Sequence, residues 1–131
     1  MLEEVRKDLI ASFLLRKSQL TEVQLDTILA QRASGDLNKR AGLRDRGKVS
    51  KGAFVRTLRQ GQANIESSVY TIYLLAYLGL VSVETAGQVI RTTSMLTQVK
   101  SASPEKEVSL KLIDAMQDFA EKLSGKRRFM S

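Results

Sequence analysis

The sequence predicts an all-α protein, and three observations carry the prediction. Apolar residues recur at three- and four-residue steps along nearly the whole chain, proline occurs once, at Pro104, and no run alternates apolar and polar residues as a half-buried strand would. The 131 residues, 43% of them apolar, suffice for one ordinary domain with a real core.

Taken in order, Leu2, Val5, Leu9 and Phe13, joined by Ile10, share one face of a first helix whose opening turn carries Glu3 and Glu4, favourably placed against the helix dipole. Thr21 and Gln24 form a capping-box pair that opens a second helix through Val23, Ile28 and Leu29 to about Ala33, and Gly35 ends it. A short helix is expected over 37–43, bounded by Gly42 and Gly47. Ser50 is an N-cap for a long helix through Ile65 that continues to Leu78, where Gly79 stops it. On that continuation Tyr70, Tyr73 and Tyr77 follow at three- and four-residue steps. They read as core or interface packing, with base stacking or cofactor contact as the alternative. Ser82 caps a further helix over 83–100, "SASP" at 101–104 is a linker, and Pro104 fits the first turn of a last helix over 105–123, before Gly125. The expected division is a helical part over 1–100, a C-terminal helix over 105–123 and a basic tail over 124–131.

Composition excludes several chemistries. With no cysteine and no histidine there is no disulfide, no thiolate metal site and no imidazole base, and the sequence shows no nucleophile elbow and no glycine-rich phosphate loop. The expectation is a protein that is not an enzyme and needs no cofactor. The longest apolar run, from Val69 to Val81, is shorter than the ~20 residues of a membrane span, and the N-terminus lacks the pattern of a signal peptide. A cytoplasmic, nucleoid-associated location follows as an expectation.

The net charge of +7 is concentrated. Residues 36–59 carry +6, the tail Lys126, Arg127 and Arg128 carries +3, and the remainder sums to −2. A basic segment on a mildly acidic body is the footprint of a polyanion binder, nucleic acid foremost. From Arg46 to Ile65 the chain reads "RGKVSKGAFVRTLRQGQANI", five cations without one carboxylate. At ~100° per residue Phe54, Leu58, Gly61 and Ile65 fall on one side of a helix, and Gly52, Arg56, Arg59 and Gln60 on the other. Such a helix suits the major groove: arginine can reach guanine edges and glutamine adenine, while carboxylates would repel the phosphates. The small residues Ser50, Gly52 and Ala53 let backbone amides at the helix start approach a phosphate.

"LTEVQLDTILAQRASG" followed by "KRAGLRDRGKVSKGAFVRTLRQGQANI", roughly residues 20–66, resembles the helix-turn-helix of sigma-factor region 4 and of Tfx-type archaeal regulators. The matching residues are Leu20, Thr21, Gln24, Ala41, Val49, Ser50, Gly52 and Phe54. The resemblance implies a support helix from Thr21, a short second helix, and a recognition helix from Ser50 to Ile65. The turn "GLRDRGKVS" is longer and more charged than the family's usual form, which opens it into a basic loop.

The sequence therefore points to a helix-turn-helix core with a C-terminal helix, and to a double-stranded DNA-binding transcriptional regulator with the transcription machinery as a further partner. Lys39, Arg40, Arg44, Arg46, Lys48 and Lys51 would hold phosphates, Ser50 and Gly52 would bring the helix start close, and Arg56, Arg59 and Gln60 would meet base edges. The alternatives are a nucleoid-associated structural protein without base readout, and an interaction module whose basic face grips an acidic protein. RNA is less favoured, because Phe54 is the single aromatic of the basic segment and faces inward. Leu112, Met116, Phe119 and Leu123 follow four, three and four residue steps, an a/d seam that predicts a homodimer through the last helix, with docking on its own domain as the alternative.

Overall fold

The computed structural model describes residues 2–33, 49–102 and 104–126. Among these it is all-helical: α1 Leu2–Lys7, α2 Leu9–Lys17, α3 Glu22–Ala33, α4 Lys51–Tyr77, α5 Val83–Ala102 and α6 Lys106–Ser124. The short helix expected over 37–43 and the helix stop at Gly35 lie outside the described residues. The chain divides into two compact units, Met1–Tyr70 and Thr71–Ser131.

In the first unit, the single first helix expected from periodicity is two. Asp8 has extended backbone (φ −81°, ψ 124°), and its carboxylate accepts from the Ala11 amide at 2.9 Å. An aspartate that can cap is a strong reason to restart a helix, and the apolar spacing is insensitive to one residue leaving the spiral. Leu2 and Phe13 are nevertheless buried, as their shared face requires, whereas Leu9 is 40% exposed. α1 is tied to α3 by Arg6, whose Nε and Nη2 donate to the two carboxylate oxygens of Glu22, both at 2.9 Å. That hydrogen-bonded pairing, and then the Glu22 charge itself, raise the Arg6 pKa above its ordinary value.

The capping box of α3 forms as the spacing predicts. Gln24 N donates to Thr21 Oγ1 and Thr21 N donates to Gln24 Oε1, each at 3.1 Å. Ile28 and Ala30 of α3 join Phe54 and Leu58 of α4 in one buried cluster, with Leu20 and Val49 packed on it. Asp26 and Thr27 are also fully buried. Thr27 Oγ1 is satisfied by donating to the Val23 carbonyl at 2.7 Å.

In the second unit α5 and α6 pack together. Val81, Thr92, Ser109 and Leu112 are its buried described residues. Ser82 caps α5, accepting from the Thr85 amide at 3.1 Å. Of the expected linker, Ser101 and Ala102 belong to α5, and Pro104 stands ahead of the N-cap Glu105 rather than inside the first turn of α6. α4 ends as Gly79 predicts. With φ at 74°, Gly79 lets its own amide reach the Ala76 carbonyl (3.1 Å) and the Leu80 amide reach the Leu75 carbonyl (2.9 Å), which is the Schellman arrangement.

On α4 the inward position of Ile65 does not make it core, and of the two readings of the tyrosines, core is excluded while interface packing stays open. Ile65 is 43% exposed, and Tyr70, Tyr73 and Tyr77 are 67, 64 and 89% exposed. Periodicity places Ile65 on the inward face, one turn past Gly61 and next to Asn64, which meet Ile28 and Gln24 of α3. Tyr70, Tyr73 and Tyr77 lie on the other side of the helix: at ~100° per residue they continue the outward side of Gly52, Arg59 and Ala63.

Candidate nucleic-acid interface

The site is built from the start of α4. Ser50 caps it, its Oγ accepting from the Ala53 amide at 3.2 Å and its carbonyl from the Phe54 amide at 2.9 Å. The first two helical amides, of Lys51 and Gly52, have no described partner, and the first turn contains no acid. A helix start of this kind, electropositive and without an acid, favours an anion.

What turns the cationic face outward is the packing of the opposite one. Phe54 is wholly buried, Leu58 nearly so, and Gly61 lies directly against α3. A Cβ on Gly61 would stand 3.1 Å from Ile28 Cδ1 and 3.3 Å from Gln24 Cβ. Asn64 reinforces the approach, its Nδ2 donating to the Gln19 carbonyl at 3.2 Å and to Gln24 Oε1 at 3.0 Å. With Gly61 inward, helical geometry puts Gly52, Arg56, Arg59 and Ala63 within a roughly 60° arc on the far side.

The structure bears this geometry out. Lys51, Gly52, Arg56, Arg59, Gln60 and Ala63 are exposed. A shallow groove is lined by Gly52, Val55, Arg56, Arg59, Gln60 and Ala63. None of Lys51, Arg56 and Arg59 forms an ion pair with a described residue; among the described residues ion pairs join Arg6 to Glu3 and Glu22, Lys111 to Glu107 and Lys122 to Asp118. Gly52 is informative in another way. A Cβ built there meets no described atom within 4 Å, and its φ is not positive, so neither packing nor backbone demands a glycine.

Of the residues singled out from sequence, Ser50, Lys51, Gly52, Arg56, Arg59 and Gln60 are thus brought to one helix end and one face. Lys39, Arg40, Arg44, Arg46 and Lys48 lie outside the described residues, as do Arg127 and Arg128 of the tail. Ala63 and Asn64 were not foreseen. Ala63 extends the spacing of Gly52, Arg56 and Arg59 by one more turn, a signal present in the sequence, whereas nothing local marks Asn64 as the partner of Gln24. Leu112 of the C-terminal seam is 6% exposed within its own unit, and Met116, Phe119 and Leu123 are half-buried.

No described helix is long and apolar enough to cross a membrane. Comparison with protein-family models, with curated proteins and with solved structures finds no match.

Proposed function

We propose that the chain is a double-stranded DNA-binding protein of helix-turn-helix type, acting as a transcriptional regulator by occupying its site. α4 is the recognition helix in this reading. The observation that carries it is the exposed face of Gly52, Arg56, Arg59 and Gln60, cationic, unpaired with any described carboxylate and held outward by the Gly61 contact with α3. Exposed arginines on a helix whose start is small and electropositive fit the major groove: the amides of Lys51 and Gly52 meet a phosphate, Lys51 a second, and Arg56, Arg59 and Gln60 the base edges. The resemblance to sigma region 4 and Tfx-type regulators agrees with this assignment, on the residues from Leu20 to Phe54 named above. Lys39, Arg40, Arg44, Arg46 and Lys48 add to the phosphate-binding charge of the same segment, and a homodimer would present two such helices to two half-sites.

An unbiased selection of bound duplexes from a random pool tests the regulator reading. It expects an enriched motif of a few base pairs. Retention of duplex without any enriched sequence would instead assign the same face to a nucleoid-associated protein.

A further inference from the structure

The second unit leaves much of its large apolar surface uncovered. Among its described residues only four are buried, and two of those, Thr92 and Ser109, are polar. The last turns of α4 and the residue after Gly79 are the densest part of the uncovered surface. Tyr73 and Tyr77 are 64 and 89% exposed, and Leu74, Leu78 and Leu80 are each more than half exposed. Tyr73, Leu74, Tyr77 and Leu78 follow at the steps that place residues on one helix face.

We propose that this face is a homodimer interface, covered by a second copy of the same chain. Charge selects the occupant. From Ser67 to Val83 there is no charged residue, on a chain whose net charge is +7. A two-fold axis sets a surface against itself and doubles any charge it carries, so a neutral face is where two strongly basic chains can meet. The same neutrality argues against an acidic protein or a nucleic acid, which would need cations there. It argues against a bilayer surface too, since helices that lie in that interface flank their apolar face with lysine and arginine.

Area and composition agree. Tyrosine is enriched at interface centres, and Tyr73 and Tyr77 together offer roughly 300 Å². The three leucines add a comparable amount, approaching the ~800 Å² per partner of a standard stable interface. A unit of this size with so few buried side chains also gains the core it lacks by pairing. The seam on α6 has less to offer, because Leu112 is already covered within its own unit.

The test is sedimentation of the full chain and of its Tyr77→Glu and Ile90→Glu variants, with helical content followed by circular dichroism. Tyr77 and Ile90 are both exposed apolar residues of the second unit, so each variant adds a charge without removing a buried group. The expected result is a wild-type dimer with a dissociation constant in the micromolar range or below. Tyr77→Glu weakens it at least ~10-fold and Ile90→Glu leaves it unchanged. A wild-type monomer, or a Tyr77→Glu dimer as tight as wild type, overturns the proposal. Should Tyr77→Glu lose helix, cross-linking decides: the chain has no native cysteine, so a bis-maleimide must join two copies of Tyr77→Cys and spare Ile90→Cys, and the reverse pattern overturns the assignment. The interface lies farther along the same side of α4 as the arginines, and the two readings are tested separately. A monomer that still binds duplex removes only the dimer, and a dimer indifferent to DNA removes only the regulator.

Discussion

Gly61 of α4 lies against Ile28 of α3: a methyl group on Gly61 would stand 3.1 Å from Ile28 Cδ1. The glycine fits for space here, not for backbone freedom: a Cβ would be tight against Ile28 and Gln24, and the contact holds this side of α4 toward α3. Gly61→Leu adds four carbons where one barely fits. It is expected to destabilise the first unit by ~1–3 kcal/mol through overpacking, read as a lowered denaturation midpoint. A midpoint unchanged from wild type would remove the contact from the account.

Phe54 is the anchor of the same cluster and is wholly buried. Phe54→Ala is expected to cost ~3–5 kcal/mol, the lost transfer energy plus the cavity left between α3 and α4. Chemical denaturation measures it. A variant of wild-type stability that no longer binds DNA would mean that Phe54 touches nucleic acid and that the inward and outward faces of α4 are exchanged.

Gly52 separates folding from binding. Alanine has open space there and a better helix propensity, so Gly52→Ala is expected to stabilise the protein by up to ~1 kcal/mol. The added methyl group stands between the helix start and a bound phosphate, so DNA affinity should fall as stability rises. Stability and affinity measured on one preparation show whether they move in opposite directions, and an unchanged affinity would take the phosphate away from this end of the helix.

Arg56 and Arg59 are assigned to base edges and Lys51 to phosphate. Arg56→Ala or Arg59→Ala should lose ~1–3 kcal/mol on a preferred site and relax its sequence preference, while Lys51→Ala should weaken preferred and random duplexes about equally. Competition binding with both duplexes reads the difference. Uniform losses at all three positions would favour binding without base readout.

The helical class, the caps at Thr21, Ser50 and Ser82 and the stop at Gly79 are legible in the sequence because each rests on neighbours within a few residues. The cationic face of α4 is legible for the same reason: one helix carries both Phe54, Leu58 and Gly61 and their opposites. What escapes is what depends on distant partners. The apolar arc of Phe54, Leu58 and Gly61 extends to Ile65, but Tyr70, Tyr73 and Tyr77 fall on the opposite, outward side of the helix, and burial needs an opposing element. Ile65, one turn past the contact of Gly61 with α3, is 43% exposed, and the three tyrosines, facing the other way, are more than half exposed. The break at Asp8 escapes differently, since one capping aspartate interrupts the first helix without disturbing its apolar spacing.

The salt dependence of duplex binding by the full chain tests the central claim most directly. Exposed cations without described carboxylate partners on α4, in a segment of net charge +6, should release counterions from about 4–6 phosphates, giving micromolar or tighter binding at low salt and a log–log slope of about −4 to −5. A slope near zero, or no binding at low salt, would contradict the assignment of this face to nucleic acid.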